Sequence, residues 1–151
     1  MTAEQQQQAR FIILATALGE IGQAEIVGSQ HNPRILEYFR TVGHAWVDND
    51  ETAWCAAAVG WVLQVNGYHS TRSLAARSYL EYGVQTVEPA PGDLAVFWRG
   101  NNNPGNPFGH VAFYLGRFAG QIYVLGGNQS NQWNVTTYDQ RRLLQYRAFI
   151  F

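Results

Sequence analysis

The hydrophobic pattern of the chain changes its period about halfway along, and this change restricts the fold more than any other feature of the sequence. Up to about residue 83, apolar residues recur at steps of three and four; beyond it they form short runs separated by glycine and proline. Helices followed by antiparallel strands are typical of an α+β fold. We therefore predict N-terminal helices packed on a C-terminal antiparallel sheet, with residues 1–151 forming a single domain.

The first two helices are predicted from an apolar stripe and from a cap. The stripe along the first helix is formed by Phe11, Leu14, Leu18 and Ile21. Asn32-Pro33 is typical of a helix start, because asparagine caps free backbone amides and proline suits the first helical position. The buried face of this second helix is expected to consist of Ile35, Leu36 and Phe39.

A third helix is predicted from Trp54 to about Val65. Asp50 or Thr52 is expected to cap its start. Residues 56–60 of this helix are all alanine, valine or glycine. A helix with such a small-residue face can approach a neighbouring element closely, and we expect it to be pressed onto the sheet.

A fourth helix and four strands are predicted in the rest of the chain. The helix covers residues 73–82, and the strands cover residues 94–98, 110–115, 121–125 and 146–151. Glycine, asparagine and proline dominate residues 100–108, which predicts an irregular loop between the first two strands.

The composition excludes several classes of function. Charged residues make up 14% of the chain and the formal net charge is -1, so a basic surface for nucleic acid is lacking. No apolar run approaches the ~18 residues that a membrane span needs. The polar start of the chain does not read as a secretory signal. We therefore expect synthesis in the cytoplasm, so that action outside the cytoplasm would need release or delivery by other means.

Cys55 is the only cysteine, which excludes an internal disulfide and a metal site built from several thiolates. It lies in the first turn of the third predicted helix, where the partial positive charge of the helix start favours a thiolate, the nucleophilic form. A single cysteine is also a common small core residue. Taken alone, Cys55 fits a nucleophile or a core position.

His110 opens a predicted strand directly after the irregular loop, at the rim of the sheet. A helix packed on the sheet can bring Cys55 to this imidazole, which would act as its base. Asn128 follows the next strand and could orient the ring, and the adjacent Gln129 is a weaker substitute for that role. Cysteine, histidine and asparagine in this order form a papain-like arrangement, which favours catalysis. The hypothesis requires the sulfur to touch the imidazole beside an open cleft.

Several segments together resemble the NlpC-type cell-wall cysteine peptidases, chiefly a subgroup of phage and secreted lysins. They are residues 54–57, 91–93, 109–111 and 126–129, and the similarity extends over nearly the whole chain. The resemblance implies a papain-like fold and hydrolysis of the peptidoglycan stem peptide by Cys55, His110 and Asn128, without metal or organic cofactor. The related CHAP amidases often carry an acidic residue at the third position and many NlpC-type enzymes a histidine; this chain has neither there.

Four residues are predicted to contact substrate around this site. They are Trp54, Asp50, Trp98 and Gln129. The tryptophan rings could form the wall of a groove, and the Asp50 carboxylate could bind a substrate amine if it does not cap the third helix.

The resemblance implies action in the periplasm or cell wall, after release or delivery. Four alternatives stay open at this point. One is a zinc hydrolase that uses His110 and other histidines, although no HExxH-type spacing occurs. The cleaved bond could be that of an amidase or of an endopeptidase. The biological setting could be that of an endolysin or of an antibacterial effector, whose partner would be an immunity protein. The chain could also be a non-catalytic wall-binding module that keeps the fold.

Overall fold

A computed structural model of the chain describes residues 1–149. The helical part contains α1 (Ala3–Leu18), α2 (Pro33–Thr41), α3 (Cys55–Val65) and the 3-10 helices Ala76–Glu81 and Gln140–Arg142. The strands are β1 (Val84–Thr86), β2 (Leu94–Trp98), β3 (Gly109–Phe118), β4 (Gln121–Gly126), β5 (Asn134–Asp139) and β6 (Leu143–Ala148).

The strands form one antiparallel sheet in the order β1-β6-β2-β3-β4-β5. Helix α3 packs on β3 and β4, while α2 covers the outer side of α3. The α+β prediction, with helices on a C-terminal antiparallel sheet, is confirmed. The sequence did not predict the two edge strands, β1 and β5. Strand β1 is only three residues long, and β5 has exposed polar residues and no apolar run.

The ends of several elements differ from the sequence-based expectation. The last strand runs over Leu143–Ala148 rather than 146–151, and residues 150–151 lie outside the described part. The expected fourth helix is a shorter 3-10 helix, Ala76–Glu81. The loop over residues 100–108 has no regular structure, as predicted.

The apolar stripe predicted for α1 is wrong. Phe11 is 73% exposed and Leu18 is 52% exposed. The buried side is formed by Ala9, Ile13 and Ala17, which recur at four-residue steps. Small alanine side chains let this face lie close to the core, so the larger apolar residues are left on the outside.

The start of α2 is as predicted. The Asn32 side chain accepts the backbone N–H of Arg34 at 2.9 Å, and proline occupies the first turn. Its buried residues are Ile35, Tyr38 and Phe39, whereas Leu36 is only half-buried.

Helix α3 is the centre of the core, and its residues from Cys55 to Leu63 are buried. Its start has no side-chain cap, so the capping predicted for Asp50 or Thr52 is wrong. The close approach predicted from its small residues is confirmed at Gly127. A Cβ atom there would lie 2.5 Å from the Trp54 ring and 2.8 Å from Ala58 Cβ. The absence of a side chain at Gly127 therefore lets the start of α3 lie directly against the turn after β4.

We expect Gly127→Ala to lower the free energy of unfolding by about 1–3 kcal/mol, because the added methyl group has no room between α3 and the turn. Urea denaturation measures the change. Gly105→Ala is the matched control, since a Cβ at Gly105 meets no atom within 4 Å. Equal stability of the two variants would contradict the close contact at Gly127.

Candidate active site

The Cys55 sulfur lies at the end of β3 where His110 is located. The backbone amides of Val111, at that strand end, and of Ala56, at the start of α3, lie near enough to the sulfur to lower the pKa of the thiol. Strand β4 pairs with β3 only from Phe113 onward. The nucleophile candidate therefore lies near the residue that follows His110.

Gln129 holds the other side of the His110 ring. The distance from His110 Nε2 to Gln129 Oε1 is 2.9 Å. The Gln129 amide nitrogen donates to the Asn134 carbonyl oxygen at 2.8 Å and to Asn134 Oδ1 at 3.0 Å. A carbonyl oxygen can only accept, so the amide nitrogen must face Asn134 and the amide oxygen must face the ring. His110 Nε2 therefore carries the proton and donates it to Gln129, which leaves a lone pair on Nδ1.

In the structure Gln129, and not Asn128, is bonded to the His110 ring. Asn128 was expected to orient His110, but no hydrogen bond among the described residues joins the two side chains. Asn128 has a φ of 56°, in the left-handed region, as the chain turns after two glycines. The turn presents Gln129 to the ring instead. Gln129, which was also expected to contact substrate, is buried and bonded to His110.

Burial sets the protonation of both candidate catalytic groups. It lowers the pKa of His110 to about 4, and the neighbouring Arg99 charge acts in the same direction. It also raises the pKa of the Cys55 thiol, which the Val111 amide and Arg99 only partly offset. The thiolate expected from the helix start is therefore not the resting form. A neutral thiol and a neutral imidazole share the site at pH 7.

We expect the His110 titration to appear in the pH dependence of stability. Its pKa is about 4 in the folded chain against an ordinary 6.5, so between these values the unfolded chain binds a proton that the folded chain does not. Stability is therefore lost as pH falls from about 6.5 to 4, by up to about 1.4 kcal/mol per pH unit. Urea denaturation at several pH values measures the free energy of unfolding of the wild type and of His110→Gln, whose side chain has no ionisable group. The slope of this free energy against pH should be larger for the wild type, and equal slopes would contradict the expectation.

The cleft that the sequence hypothesis requires beside the sulfur is not open in this structure. Cys55 is 4% exposed and His110 is fully buried. Two half-buried side chains, Arg99 and Tyr138, lie at the site. Arg99 Nη2 is 3.4 Å from His110 Nδ1, and the Tyr138 and His110 ring centres are 5.0 Å apart. Both candidate catalytic side chains are therefore closed off from solvent.

Sequence reasoning missed Arg99 and Tyr138. Phe97 pairs with His110 across β2 and β3, and side chains two residues apart in a strand share a face. Arg99, directly after β2, could have been placed beside His110 by this rule. Tyr138 gave no such signal, because β5 was not recognised as a strand.

Besides Gln129, two of the predicted substrate contacts are buried. The Trp54 ring is fully buried, its Nε1 donates to Glu25 Oε1 at 3.0 Å, and it belongs to the core rather than to a groove wall. Asp50 is also fully buried, and its Oδ2 accepts the backbone amides of Ile26 at 2.7 Å and Asn32 at 2.9 Å. Burial favours the neutral acid, but these amides outweigh it and hold the pKa of Asp50 below its ordinary value. Asp50 therefore fixes the loop before α2.

Trp98 is half-buried, and its role as a substrate contact stays a prediction. Its Nε1 donates to the Arg141 carbonyl oxygen at 3.1 Å, and the Arg142 guanidinium lies 5.2 Å from the ring centre. Within residues 1–149, no three histidine, cysteine, aspartate or glutamate side chains form a group that could hold a metal ion. No helix in that part of the chain combines the length and apolar character needed to cross a membrane.

The fold is similar to those of two solved structures. One is the resuscitation promoting factor interacting protein RipA, mutated at a cysteine, with a TM-score of 0.60 and 17% identity over 100% of this chain and 67% of that chain. The other is a protein similar to a lipoprotein of the NLP/P60 family from Staphylococcus aureus subsp. aureus Mu50, with a TM-score of 0.52 and 19% identity. That match covers 100% of this chain and 43% of the other, so this chain spans less than half of its length.

Similarity at such low identity shows the fold alone, and no curated protein matches the sequence. The family model of the CHAP domain matches residues 46–128, which is more than half of the chain and includes Cys55, His110 and Asn128. The NlpC-type resemblance and its CHAP relatives are thereby confirmed at the level of the family. Members of the family are cysteine peptidases and amidases that act on peptidoglycan. The chain belongs to the CHAP domain family.

Proposed function

We propose that this protein hydrolyses an amide bond of the peptidoglycan stem peptide by thiol acyl transfer. The observation that carries the proposal is the hydrogen-bond chain from Asn134 through Gln129 to His110 Nε2, which puts the ring proton on Nε2 and the lone pair on Nδ1, beside Arg99. The thiol of Cys55 lies at the same strand end, near the amide of Val111. A wall-binding module has no need for a fixed tautomer beside a thiol, so this arrangement favours catalysis.

The reaction begins with transfer of the Cys55 proton to His110 Nδ1 while the sulfur attacks the substrate carbonyl carbon. The carbonyl oxygen becomes an oxyanion, which the Cys55 backbone N–H at the start of α3 stabilises. The C–N bond then breaks as the imidazolium gives its proton to the departing amine. Water attacks the thioester and passes one proton to Nδ1, and the released sulfur recovers it as the free acid forms.

Burial gives Gln129 its importance in this scheme. The imidazolium exists only during the reaction, because the resting pKa of His110 is about 4. The Gln129 oxygen accepts a hydrogen bond from the Nε2–H group and thereby stabilises the transient positive charge on the ring. The second proton on the ring therefore comes from Cys55 or from water at Nδ1.

Gln129→Ala is expected to lower kcat on the order of 100-fold, because the ring loses the acceptor that fixes its tautomer. Asn128→Gly is the matched control at the adjacent position, since glycine keeps the left-handed backbone while removing the side chain. Initial rates on purified sacculi measure both. A larger loss in Asn128→Gly than in Gln129→Ala would restore Asn128 as the orienting residue.

Mass spectrometry of the digested sacculi tests the proposed reaction and identifies the bond. An amidase exposes the amine of the first stem residue, whereas an endopeptidase exposes an amine within the stem or the cross-link. Sacculi that yield no new amine with the wild-type protein would refute the proposal. We propose endolysin-like lysis as the biological setting, and the alternative setting, an injected effector, would require an immunity protein.

A further inference from the structure

Arg99 is a half-buried cation at the site that lacks an acidic partner. Within the described residues, no carboxylate lies within ion-pair distance of Arg99, whereas Arg10 is bonded to Asp93 at 2.7 Å and Arg34 to Glu20 at 2.7 Å. The other half-buried arginines without a carboxylate, Arg77 and Arg147, donate to three and to two backbone carbonyl oxygens instead. The guanidinium of Arg99 lies only against the neutral His110 Nδ1, at 3.4 Å, and near the Tyr138 side chain. Neither neighbour supplies a negative charge, so the half-buried guanidinium favours an anion that comes from outside.

The backbone of Arg99 is held while its side chain ends in the site. The Arg99 carbonyl oxygen accepts the Asn106 side-chain amide at 2.7 Å, and the Arg99 N–H donates to the Phe108 carbonyl oxygen at 3.4 Å. Its Nη2 lies 3.4 Å from His110 Nδ1. Nδ1 is the atom that returns the proton to the departing amine in the proposed reaction. The guanidinium is thus on the leaving-group side of the thiol.

We propose that Arg99 binds a free carboxylate carried by the leaving-group residue of the substrate. This proposal rests on the hydrolytic function proposed above, because it takes His110 Nδ1 as the atom that faces the departing amine. A planar guanidinium binds a carboxylate through two parallel hydrogen bonds, which fixes direction as well as position.

The same binding would free the base. In the structure Arg99 Nη2 lies 3.4 Å from His110 Nδ1, whose lone pair must accept the Cys55 proton. A carboxylate is a stronger partner than a neutral ring nitrogen, so it draws the guanidinium away from Nδ1. Substrates with a free carboxylate on the leaving side would both bind and uncover the base, and amidated substrates would do neither.

The experiment compares alkylation of Cys55 by iodoacetate and by iodoacetamide. In both reactions the sulfur displaces iodide and forms a carbon–sulfur bond, but only iodoacetate carries a carboxylate. The ratio of the two rates at one pH cancels the thiolate fraction and the general access to the sulfur. We expect the wild-type ratio to exceed that of Arg99→Ala by about fivefold, the effect of one charge at about 4 Å even in water.

Arg99→Lys should keep part of the preference, and Arg40→Ala, which removes an exposed charge on α2, should keep all of it. Should Arg99→Ala fail to fold, Arg99→Gln replaces it. A ratio unchanged by either variant overturns the proposal. Sacculi whose carboxylates have been coupled to ammonia provide the second readout: the wild type should lose rate on them, and Arg99→Ala should lose none further.

These two readouts separate the two proposals. A wild-type protein that prefers iodoacetate through Arg99 but releases no amine from sacculi would refute the hydrolase and leave the anion site standing. A hydrolase that shows no Arg99-dependent preference for iodoacetate would refute the anion site alone.

Discussion

Cys55→Ala should lower the rate of sacculus hydrolysis at least about 10⁴-fold, to the level of a buffer control, because no other side chain in the chain is a cysteine. The substitution removes one sulfur from a buried position and adds no polar group, so the fold should remain. Turbidity loss and the release of new amines measure the rate.

The matched variant is Cys55→Ser, which keeps a hydroxyl in place of the sulfur. The hydroxyl is a poorer nucleophile at neutral pH, so this variant should be nearly as inactive while keeping a donor toward His110. Near-UV circular dichroism of both variants should equal that of the wild type. Clearing of sacculi by Cys55→Ala at the wild-type rate would remove Cys55 from the mechanism.

Asp50→Asn should lower the free energy of unfolding by about 2–4 kcal/mol. The carboxylate oxygen Oδ2 accepts two backbone amides, from Ile26 and Asn32, in a fully buried position. The other oxygen, Oδ1, lies 3.1 Å from His31 Nδ1. An asparagine can keep its oxygen toward the two amides, but it loses the charge that strengthens both bonds and the ion pair, and it turns an NH2 group toward His31. Urea denaturation at pH 7 measures the loss.

Asp48→Asn is the control for this change, because Asp48 is exposed in the same loop. It should cost less than about 0.5 kcal/mol. The same proteins also test the predicted substrate contact of Asp50. If Asp50→Asn raises KM without loss of stability, the carboxylate serves substrate rather than the loop.

The two residues that the mechanism needs most could be found from the sequence. Cys55 is unique and precedes a run of small helical residues, and His110 opens an apolar run after an irregular loop. Each of these signals is local, because residues close in the sequence determine where a helix or a strand begins. The packing of α3 on β3 then brings the two ends near each other.

The sequence alone could not decide between its two candidates for the third residue. The choice between Asn128 and Gln129 depends on the backbone of one turn, where a left-handed residue at Asn128 directs the next side chain to the ring. A position one residue along a turn reverses the direction of a side chain, and no periodic pattern records it. The hydrogen bonds from Gln129 to Asn134 depend in turn on β5, a strand that was not predicted because its residues are mostly polar.

The ionisation state of the site was also predicted wrongly, for a physical reason. The helix start favours a thiolate, but its effect is small beside the cost of placing a charge in a fully buried position. Burial depends on how the whole chain folds around Cys55 and His110. A local sequence signal can therefore identify the reactive groups, but the tertiary structure determines their charge at rest.

The amide of Gln129 has a consequence for the conditions in which such a protein can work. Relatives with an aspartate or glutamate in this place would exchange a proton with the medium, and in acidified surroundings the ring would lose the negative charge that steadies it. A carboxamide does not titrate, so the side of the ring that holds hydrogen stays the same. The orientation of the His110 ring therefore does not depend on the pH of its surroundings through this side chain.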